Sequence, residues 1–322
     1  MKRILALAVT LAMLAGVAML LAPNVLGEAQ IEEETSFIIP SGASLTSVAQ
    51  DLEAAGHITS ADGFLLRARL FGSSDPIQAG EFALTPGMSQ GQILARFQSG
   101  DVIRRFVTVP EGMPSVLVWE RLMAEELLTG DIPVPPEGSI LPDTYAFERG
   151  QPRAELVEQM QAAMDRFLAE AWANRGENIA VSTMREALIL ASIVEKESGV
   201  PHERGTVAGL YSNRLRAGMM LQADPTIIYP ITKGKPLGRR IRRSEISAVN
   251  GYNTYTMVGL PEGPITNPGR EAILAVMNPE DHDSLYMVAD GTGGHEFNAT
   301  LDAHNEAVGR WFELRRQRGE MD

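Results

Sequence analysis

Cysteine is absent from the 322-residue chain, which excludes disulfide bonds and any chemistry based on a thiolate. Aromatic residues are scarce, with 3 tryptophans and 6 tyrosines, so any aromatic surface for stacking ligands must be small. Positive charge is in deficit, because the formal net charge is −13. Since an acidic surface repels a phosphate backbone, we expect no nucleic-acid partner. Apolar residues make up 44% of the chain, enough to build the cores of two or three domains.

The N-terminus carries the longest stretch without charge. Two basic residues precede it, the run from Ile4 to Ala22 is uncharged, and the next charged residue is Glu28. As a helix this run would span ~28 Å, close to the thickness of the hydrocarbon core of a bilayer. We therefore predict a cytoplasmic tip and transmembrane anchor in residues 1–27, followed by an acidic linker in residues 28–35. A cleaved signal peptide is the alternative, and either form sends the rest of the chain across the membrane.

Residues 36–109 contain one strand–turn–helix pattern twice. In the first copy, Ser44 is placed to cap a helix whose apolar face includes Val48 and Leu52. The second copy has the same spacing, so that Gly42, Ser44, Val48 and Leu52 align with Gly87, Ser89, Ile93 and Phe97. Two explanations stay open: the segments share only their helix-entry chemistry, or they form a true repeat within one small α+β module. The segment VIRRFVTVPEG (102–112) predicts one more strand.

Residues 110–322 are predicted to form a larger domain that mixes helices with turn-rich β segments. Gly138 and Pro142 indicate an ordered turn rather than a long helix in its first part. Ser182 begins a capping-box pattern in which Glu186 lies one position beyond the ideal. After Gln222 the chain is turn-rich. The predicted helices and the short strand that follows them are 153–176, 182–198, 203–217, 301–317 and, for the strand, 284–290. The whole chain therefore predicts the α+β class.

Two glutamates end the most apolar helix that is predicted outside the N-terminal run. This helix contains ALILASIVEKES (187–198), with Glu195 and Glu197 near its C-terminus. A carboxylate there meets the negative end of the helix dipole, and burial against apolar neighbours acts in the same direction, so both effects raise its pKa. A raised pKa suits a general acid at neutral pH. The simpler alternative is that both carboxylates are solvated and paired with Lys196 or Arg204.

The dipeptide Glu197-Ser198 after an apolar helix resembles the glutamate–serine signature of lysozyme-like lytic transglycosylases. A wider set of phrases resembles the endolytic murein transglycosylase family, also called YceG-like or MltG. Any one phrase is weak, but together they follow the family's order across most of residues 36–310. These phrases are VTVPEG (107–112), EGSILPDTY (137–145), ALILASIVEKES (187–198), SNRLRAGMMLQADPTIIY (212–229), YNTY (252–255), GLPEGPITNPG (259–269) and YMVADGTGGHEFNATLDAHN (286–305).

The resemblance implies a LysM-like module in residues 36–109 and a catalytic domain in residues 110–322. It places the catalytic glutamate on Glu197, with Glu195, on a different helix face, as the fallback. The implied reaction uses a single acid. It protonates the oxygen between N-acetylmuramic acid and N-acetylglucosamine, then takes the proton of the muramic acid 6-hydroxyl so that a 1,6-anhydro ring closes. Asp224 could serve as a second carboxylate, as in an ordinary glycosidase.

Polar residues in the matching phrases suit a groove for a neutral glycan. The candidates for binding its hydroxyl and acetamido groups are Gln222, Asp224, Tyr229, Asn253, Tyr255, Asn267 and Asn298. Ordinary turns are the alternative explanation for YNTY and for ITNPG. Asn213 and Arg214 are interpreted as holding the helix near Glu197 rather than binding sugar.

The remaining expectations concern metals, partners and location. No metal or other cofactor is expected, because the spacing of His282, His295 and His304 matches no ligand motif. The resemblance implies peptidoglycan glycan strands as the substrate, newly made ones in particular, and peptidoglycan synthases as candidate partners. It also implies action near the inner membrane, and the predicted N-terminal anchor then makes the chain a single-pass protein with its C-terminal domain in the periplasm. The competing hypothesis is a non-catalytic scaffold that binds peptidoglycan.

Overall fold

The computed structural model describes Gly27 and residues 29–320. The anchor predicted in residues 1–27 therefore lies outside the described residues, apart from Gly27. In the part of the chain that is described, no helix is both long and apolar enough to cross a membrane. The described residues divide into two compact units, one formed by those up to Arg105 with residues 147–149 and the other by residues 106–146 with residues 150–320.

The first unit contains a two-stranded antiparallel sheet and three helical segments. Its elements are β1 (Thr35–Ile39), α1 (Leu45–Ala54), α2 (Ala61–Phe71), β2 (Gly80–Leu84) and α3 (Gln90–Ser99). Strands β1 and β2 pair so that Thr35 lies opposite Leu84 and Ile39 lies opposite Gly80. Their inward side chains meet the helices in one apolar core, in which the ring of Phe97 lies 5.0 Å from that of Phe82.

The two copies of the sequence pattern have the same local structure. Ser44 and Ser89 each form a capping box at the start of their helix. The glycines two residues before them, Gly42 and Gly87, have φ angles of +78° and +80°, a conformation that glycine adopts at no steric cost. The aligned apolar residues, which are Val48, Leu52, Ile93 and Phe97, are fully buried. Helix α2, between the two copies, has no counterpart in the sequence prediction.

The rest of the chain is mostly helical, with short strands. Its elements are β3 (Arg104–Thr108), α4 (Ser115–Ala124), β4 (Thr144–Glu148), α5 (Arg153–Ala173), α6 (Met184–Glu197), a 3₁₀ turn (Pro201–Glu203), α7 (Arg204–Arg216), α8 (Asp224–Thr232), α9 (Arg243–Ile246), α10 (Arg270–Met277), β5 (Tyr286–Ala289), β6 (His295–Asn298) and α11 (Leu301–Gln317). Strands β3 and β4 pair, as do β5 and β6, each in a two-stranded sheet. Helices with small sheets confirm the α+β class for the described residues.

Helix α6 is the centre of the second unit. It packs against α7, α8 and α10, and Leu190, Ile193 and Val194 on it are fully buried in the largest apolar cluster. Tyr211 from α7 and Ile273 from α10 belong to the same cluster. Because α6 is enclosed by its neighbours, its C-terminal end is held in place against α7 and the first turn of α8.

The structure corrects the start of this helix. The N-cap is Thr183, not Ser182, and this shift places Glu186 at the third helical position, where it completes the capping box. Ser182 still contributes, since its backbone N–H donates to a carboxylate oxygen of Glu186 at 2.7 Å. Helices α8 and α10 lie in the region after Gln222 that was predicted to be turn-rich, and α4 lies in the proline-containing region before it.

Candidate active site

Glu197 is the last residue of α6. Its pKa is raised from the ordinary value of 4.5 to about 7, chiefly because its carboxyl group is removed from water and next because the charge of Asp224 is close. The positive charge of Arg214 and a hydrogen bond from Tyr211 oppose this rise. A carboxyl group with such a pKa is present in both protonation states at neutral pH, which is what an acid that later becomes a base requires.

Asp224 approaches Glu197 from a separate segment of the chain. It is the first residue of α8, and its exposed carboxylate accepts a 2.7 Å hydrogen bond from the hydroxyl group of Tyr255. Burial is the largest cause of a raised pKa for that hydroxyl, and the hydrogen bond to Asp224 acts the same way. The phenol therefore stays protonated and donates, so it holds the Asp224 carboxylate in one place.

Helix α7 supplies two further side chains that act on Glu197. Tyr211 is fully buried, and burial raises the pKa of its hydroxyl well above 10, so it donates a hydrogen bond to Glu197. Arg214, one turn further on, is buried and donates to the carbonyls of Leu285 at 2.6 Å and of Leu221 at 2.5 Å. Sequence reasoning interpreted Arg214 as holding this region but missed Tyr211. The spacing of three residues, which places both on one helix face, is the signal that could have found it.

Gln222 lies in the loop before α8 with an unusual backbone. Its φ angle is +52°, in the left-handed region that side chains other than glycine seldom adopt. The backbone N–H of Gln222 donates to the Thr254 carbonyl at 3.1 Å, and the N–H of Ala223 donates to the Thr254 hydroxyl at 3.0 Å. These bonds hold the strained residue, while its side chain is exposed. Backbone strain maintained in this way is typical of functional sites.

Asn253 is buried inside its own loop. Its side-chain amide donates to the carbonyls of Ile246 at 2.9 Å and Ala248 at 2.7 Å, and its side-chain oxygen accepts from the backbone N–H of Tyr255 at 3.0 Å. No part of the residue is exposed. Asn253 thus shapes the loop that positions Tyr255. It was predicted to contact the substrate, but it has no exposed atom that could do so.

Asn267 has a comparable structural place. Its side-chain oxygen accepts from the backbone N–H of Ile140 at 3.0 Å, and its amide donates to the Met113 carbonyl at 2.9 Å and to the Ser115 hydroxyl at 3.1 Å. It is fully buried. These bonds tie together three segments that are distant in sequence, so Asn267 acts on the site by holding its framework.

Tyr229 and Asn298 are not among the groups that act on the Glu197 carboxyl. Tyr229 is buried on α8, forms a hydrogen bond with Glu137, and lies 4.8 Å from the ring of Tyr252. Asn298 is buried in β6 opposite Tyr286, and its amide makes only a long bond of 3.5 Å to the Glu296 carbonyl. Of the predicted set, the structure therefore brings together Glu197, Asp224 and Tyr255.

Glu195 lies among different partners, as expected for a residue on another face of α6. One carboxylate oxygen accepts the backbone N–H of Gly269, the N-cap residue of α10, at 3.0 Å. The other is 3.9 Å from Arg204, which also pairs with Glu111 at 3.1 Å. Burial raises the pKa of Glu195, although the hydrogen bond from Gly269 opposes this rise. Glu195 therefore joins α6 to α10, and the geometry favours Glu197 as the acid.

The histidines considered as metal ligands have protein partners. His282 Nε2 lies 2.9 Å from the Thr206 carbonyl, and His295 Nδ1 lies 2.8 Å from a carboxylate oxygen of Glu203. His304 stacks on Tyr286, with ring centroids 5.3 Å apart. Among the residues that the structure describes, no group of three or more histidine and carboxylate side chains is arranged to hold a metal ion.

A profile of the YceG-like family matches residues 37–310 of the chain. The chain belongs to the YceG-like family. The matched range contains Glu197, Asp224, Tyr255, Tyr211 and Arg214, and it confirms the resemblance that was inferred from the ordered phrases.

Two curated relatives of this YceG-like chain carry the same name. A Bacillus subtilis (strain 168) protein named endolytic murein transglycosylase is 27% identical over 317 aligned positions, which cover 87% of this chain and 85% of the relative. A protein of that name from Streptococcus pneumoniae serotype 2 (strain D39) is 29% identical over 310 positions, which cover 81% of this chain and 55% of the relative. The match thus spans about half of the streptococcal protein.

A solved structure shares the fold of this YceG-like chain. The crystal structure of a YceG-like protein from Listeria monocytogenes aligns with a TM-score of 0.53 and 25% sequence identity, and the alignment covers 85% of this chain and 99% of that one. The likeness supports the mixed arrangement of helices and small sheets described above.

Proposed function

We propose that this YceG-like chain is a peptidoglycan lytic transglycosylase, a lyase that cleaves the bond between N-acetylmuramic acid and N-acetylglucosamine. Its relation to proteins named endolytic murein transglycosylase, over most of its own length, supports the enzyme class. The observation that carries the mechanism is the raised pKa of about 7 at Glu197, because one group must donate a proton and then accept one at neutral pH.

Glu197 acts twice in one turnover. In its protonated form it donates to the oxygen that joins the two sugars, the C1–O bond breaks, and the N-acetylglucosamine side leaves with a new hydroxyl group. Positive charge develops at C1 of the muramic acid. The Glu197 carboxylate then removes the proton of the 6-hydroxyl as its oxygen bonds to C1. A 1,6-anhydro ring forms, the glutamate is protonated again, and no water is consumed.

The neighbours of Glu197 have separate tasks in this scheme. The charge of Asp224 favours the protonated form of Glu197 before the reaction and stabilises the positive charge that develops at C1. Tyr255 holds the Asp224 carboxylate through its 2.7 Å hydrogen bond. Tyr211 donates to Glu197 and stabilises its charged form after the first proton transfer. Arg214 fixes the position of α7, which carries Tyr211, through its hydrogen bonds to the carbonyls of Leu285 and Leu221.

The wider setting belongs to the same proposal. Residues 1–27 anchor the chain in the inner membrane, the rest lies in the periplasm, and newly made strands beside peptidoglycan synthases are the substrate. The small module of residues 36–109 is LysM-like and binds the glycan. Its support is the repeated strand–turn–helix plan, with a capping box at Ser44 and another at Ser89. Exposed Gln222, with its strained backbone, contacts a hydroxyl or acetamido group of the sugar.

The test is to digest purified glycan strands with the full chain in detergent and to identify the new ends by mass spectrometry. We expect 1,6-anhydro ends from the wild type, and their rate of formation should be roughly 10²- to 10⁴-fold lower with Glu197→Gln. Reducing ends would make the enzyme a hydrolase, with Asp224 as its second carboxylate. Binding without any cleavage of a substrate that a known lytic enzyme digests would support the non-catalytic scaffold instead.

A further inference from the structure

A groove of about 500 Å³ lies in the second unit, formed by the loop before α4, the first turns of α8 and the loop after α8. Its walls are mainly apolar, with Pro114, Leu117, Ile228 and Leu237 among the lining residues. The volume falls in the range of small-molecule and short-peptide sites. A sugar chain needs many hydrogen-bonding groups along its path, so these walls are poorly suited to a second glycan segment.

Two residues of the groove are the sequence neighbours of the two carboxylates in the candidate active site. Lys196, which lines it, directly precedes Glu197, and Pro225, which also lines it, directly follows Asp224. Neighbouring residues have Cα atoms ~3.8 Å apart, while their side chains leave a helix in directions about 100° apart. The groove and the two carboxylates therefore share the end of α6 and the start of α8, and the side chains at each helix point to different sides.

Lysine is rare in this chain and concentrated here. The chain has four lysines, Lys2, Lys196, Lys233 and Lys235, and two of them line the groove. Lys235 forms an ion pair with Glu120. The ammonium group of Lys196 forms no ion pair within the described part of the chain, and its hydrogen bond to the Gly112 carbonyl is long, at 3.5 Å.

The acidic residue that lines the groove is paired with an arginine and not with Lys196. Glu111 lies 3.1 Å from Arg204, which also lies 3.9 Å from Glu195. The turn at Gly234 packs closely against Pro114 on the other side of the groove, because a Cβ added to Gly234 would lie 2.7 Å from the Cβ of Pro114. The groove thus combines apolar walls with an ammonium group whose charge acts on the neighbouring Glu195 but which forms no ion pair in the described part of the chain. The formal net charge of the chain is −13.

We propose that this groove binds the short peptide that is attached to muramic acid, with Lys196 recognising a peptide carboxylate. The proposal rests on the proposed function, since it names a further part of the same substrate. The peptide is linked to the sugar ring through its lactyl group, so it leaves the glycan close to the bond that is cleaved. Its small apolar side chains suit the walls, and its free carboxylates suit the ammonium group.

The experiment compares strands that carry peptides with strands from which an amidase has removed them, using the full chain in detergent. We expect the wild type to have a higher kcat/KM on peptide-bearing strands. In Lys196→Gln the ratio of the two values should fall roughly tenfold, the effect of losing one hydrogen bond to a charged group, mainly through a higher KM. The matched control is Arg240→Gln, which removes one exposed positive charge that does not line the groove, and its ratio should equal that of the wild type.

A binding measurement separates this proposal from the proposed function. Calorimetry with an N-acetylmuramoyl peptide and the Glu197→Gln variant should show binding that Lys196→Gln, introduced in the same background, weakens roughly tenfold. If the wild type cleaves neither substrate, the lytic function fails while this measurement still tests the groove. Equal kcat/KM on both kinds of strand, or equal peptide binding with and without Lys196, would overturn the peptide site and leave the cleavage reaction standing.

Discussion

Two carboxyl groups, those of Glu195 and Glu197, lie in the last turn of helix α6 but have different neighbours. Burial is the largest cause of a raised pKa at both Glu195 and Glu197. A neighbouring carboxylate adds to burial at each, Glu111 at Glu195 and Asp224 at Glu197. The Glu195 carboxylate, however, accepts the backbone N–H of Gly269 and lies 3.9 Å from Arg204, whereas the hydrogen bond at Glu197 comes from the Tyr211 side chain. The comparison teaches that burial and a nearby carboxylate raise the pKa at both positions, while the groups that bind the carboxylate decide whether it links two helices or can act as an acid.

The largest expected effect separates the two glutamates directly. Glu197→Gln should lower kcat on peptidoglycan strands by roughly 10²- to 10⁴-fold, the usual contribution of a positioned general acid. Glu195→Gln should stay within about tenfold of the wild type, because a glutamine can still accept the N–H of Gly269. Release of soluble fragments measures both. A larger loss from Glu195→Gln than from Glu197→Gln would reverse the assignment and make Glu195 the acid.

The second prediction concerns stability and pH. Because the folded pKa of Glu197 is about 7, against an ordinary value of 4.5, the group favours the folded state fully below pH 4.5 and loses this contribution as the pH rises through 7. Relative to the wild type, Glu197→Gln should gain up to about 3 kcal/mol in free energy of unfolding between pH 4 and pH 8, at 1.36 kcal/mol per pKa unit.

Thermal unfolding at the two pH values measures this gain, which corresponds to a shift in the difference of Tm of roughly 5 °C. The matched control is Glu186→Gln, a carboxylate on the same helix that caps its start. A constant difference in Tm between wild type and Glu197→Gln across this range would contradict the raised pKa.

The third prediction removes the neighbouring carboxylate that raises the pKa of Glu197. Asp224→Asn should lower kcat/KM roughly 10²-fold, the order found when one stabilising group is removed from a preorganised site. It should also lower the pKa of Glu197, since the charge of Asp224 raises it. The fall in activity with rising pH should therefore move to lower pH. An unchanged pH profile would show that burial alone sets this pKa.

The smallest expected effect tests how Asp224 is held. Tyr255→Phe removes the 2.7 Å hydrogen bond to its carboxylate and should lower kcat roughly tenfold, as the loss of one hydrogen bond to a charged group does. Tyr252→Phe is the matched control, because its ring packs on Tyr229 at 4.8 Å and is not among the groups that act on Glu197. Equal losses from the two variants would remove Tyr255 from the site.

Elements with strong local signals could be predicted within a few residues. The last helix was predicted over 301–317 and forms as α11 over that range, and the helix predicted over 182–198 forms as α6. Helix α8 was missed because Pro225 and Pro230 make its nine residues look like a turn. The first of them, however, occupies the initial turn, where no intrahelical N–H is needed. Helices α4 and α10 are short, and tertiary packing rather than length stabilises them.

The candidate site could be predicted only where its residues also carry a strong local signal. Glu197 stands at the end of an apolar helix, which is a local signal. Asn253 and Asn267 were predicted to bind substrate because side-chain amides can hydrogen-bond to sugars. In the structure, the side-chain amides of both residues donate to backbone carbonyls inside the fold. A sequence does not reveal which amides are buried. The spacing of Tyr211 and Arg214 places both on one face of a helix, but it does not show that Tyr211 reaches the same carboxyl group as Asp224.

What the sequence by itself determined is the composition, the uncharged N-terminal run, the apolar helix that ends in two glutamates, and the ordered phrases of the YceG-like family. Only the tertiary structure decided which glutamate has an acid's environment. The reason is physical: the pKa of a carboxyl group depends on its exposure and on charges within a few ångströms. For Glu197 those charges come from Asp224 and Arg214, which lie on other helices and reach it only when the chain is folded.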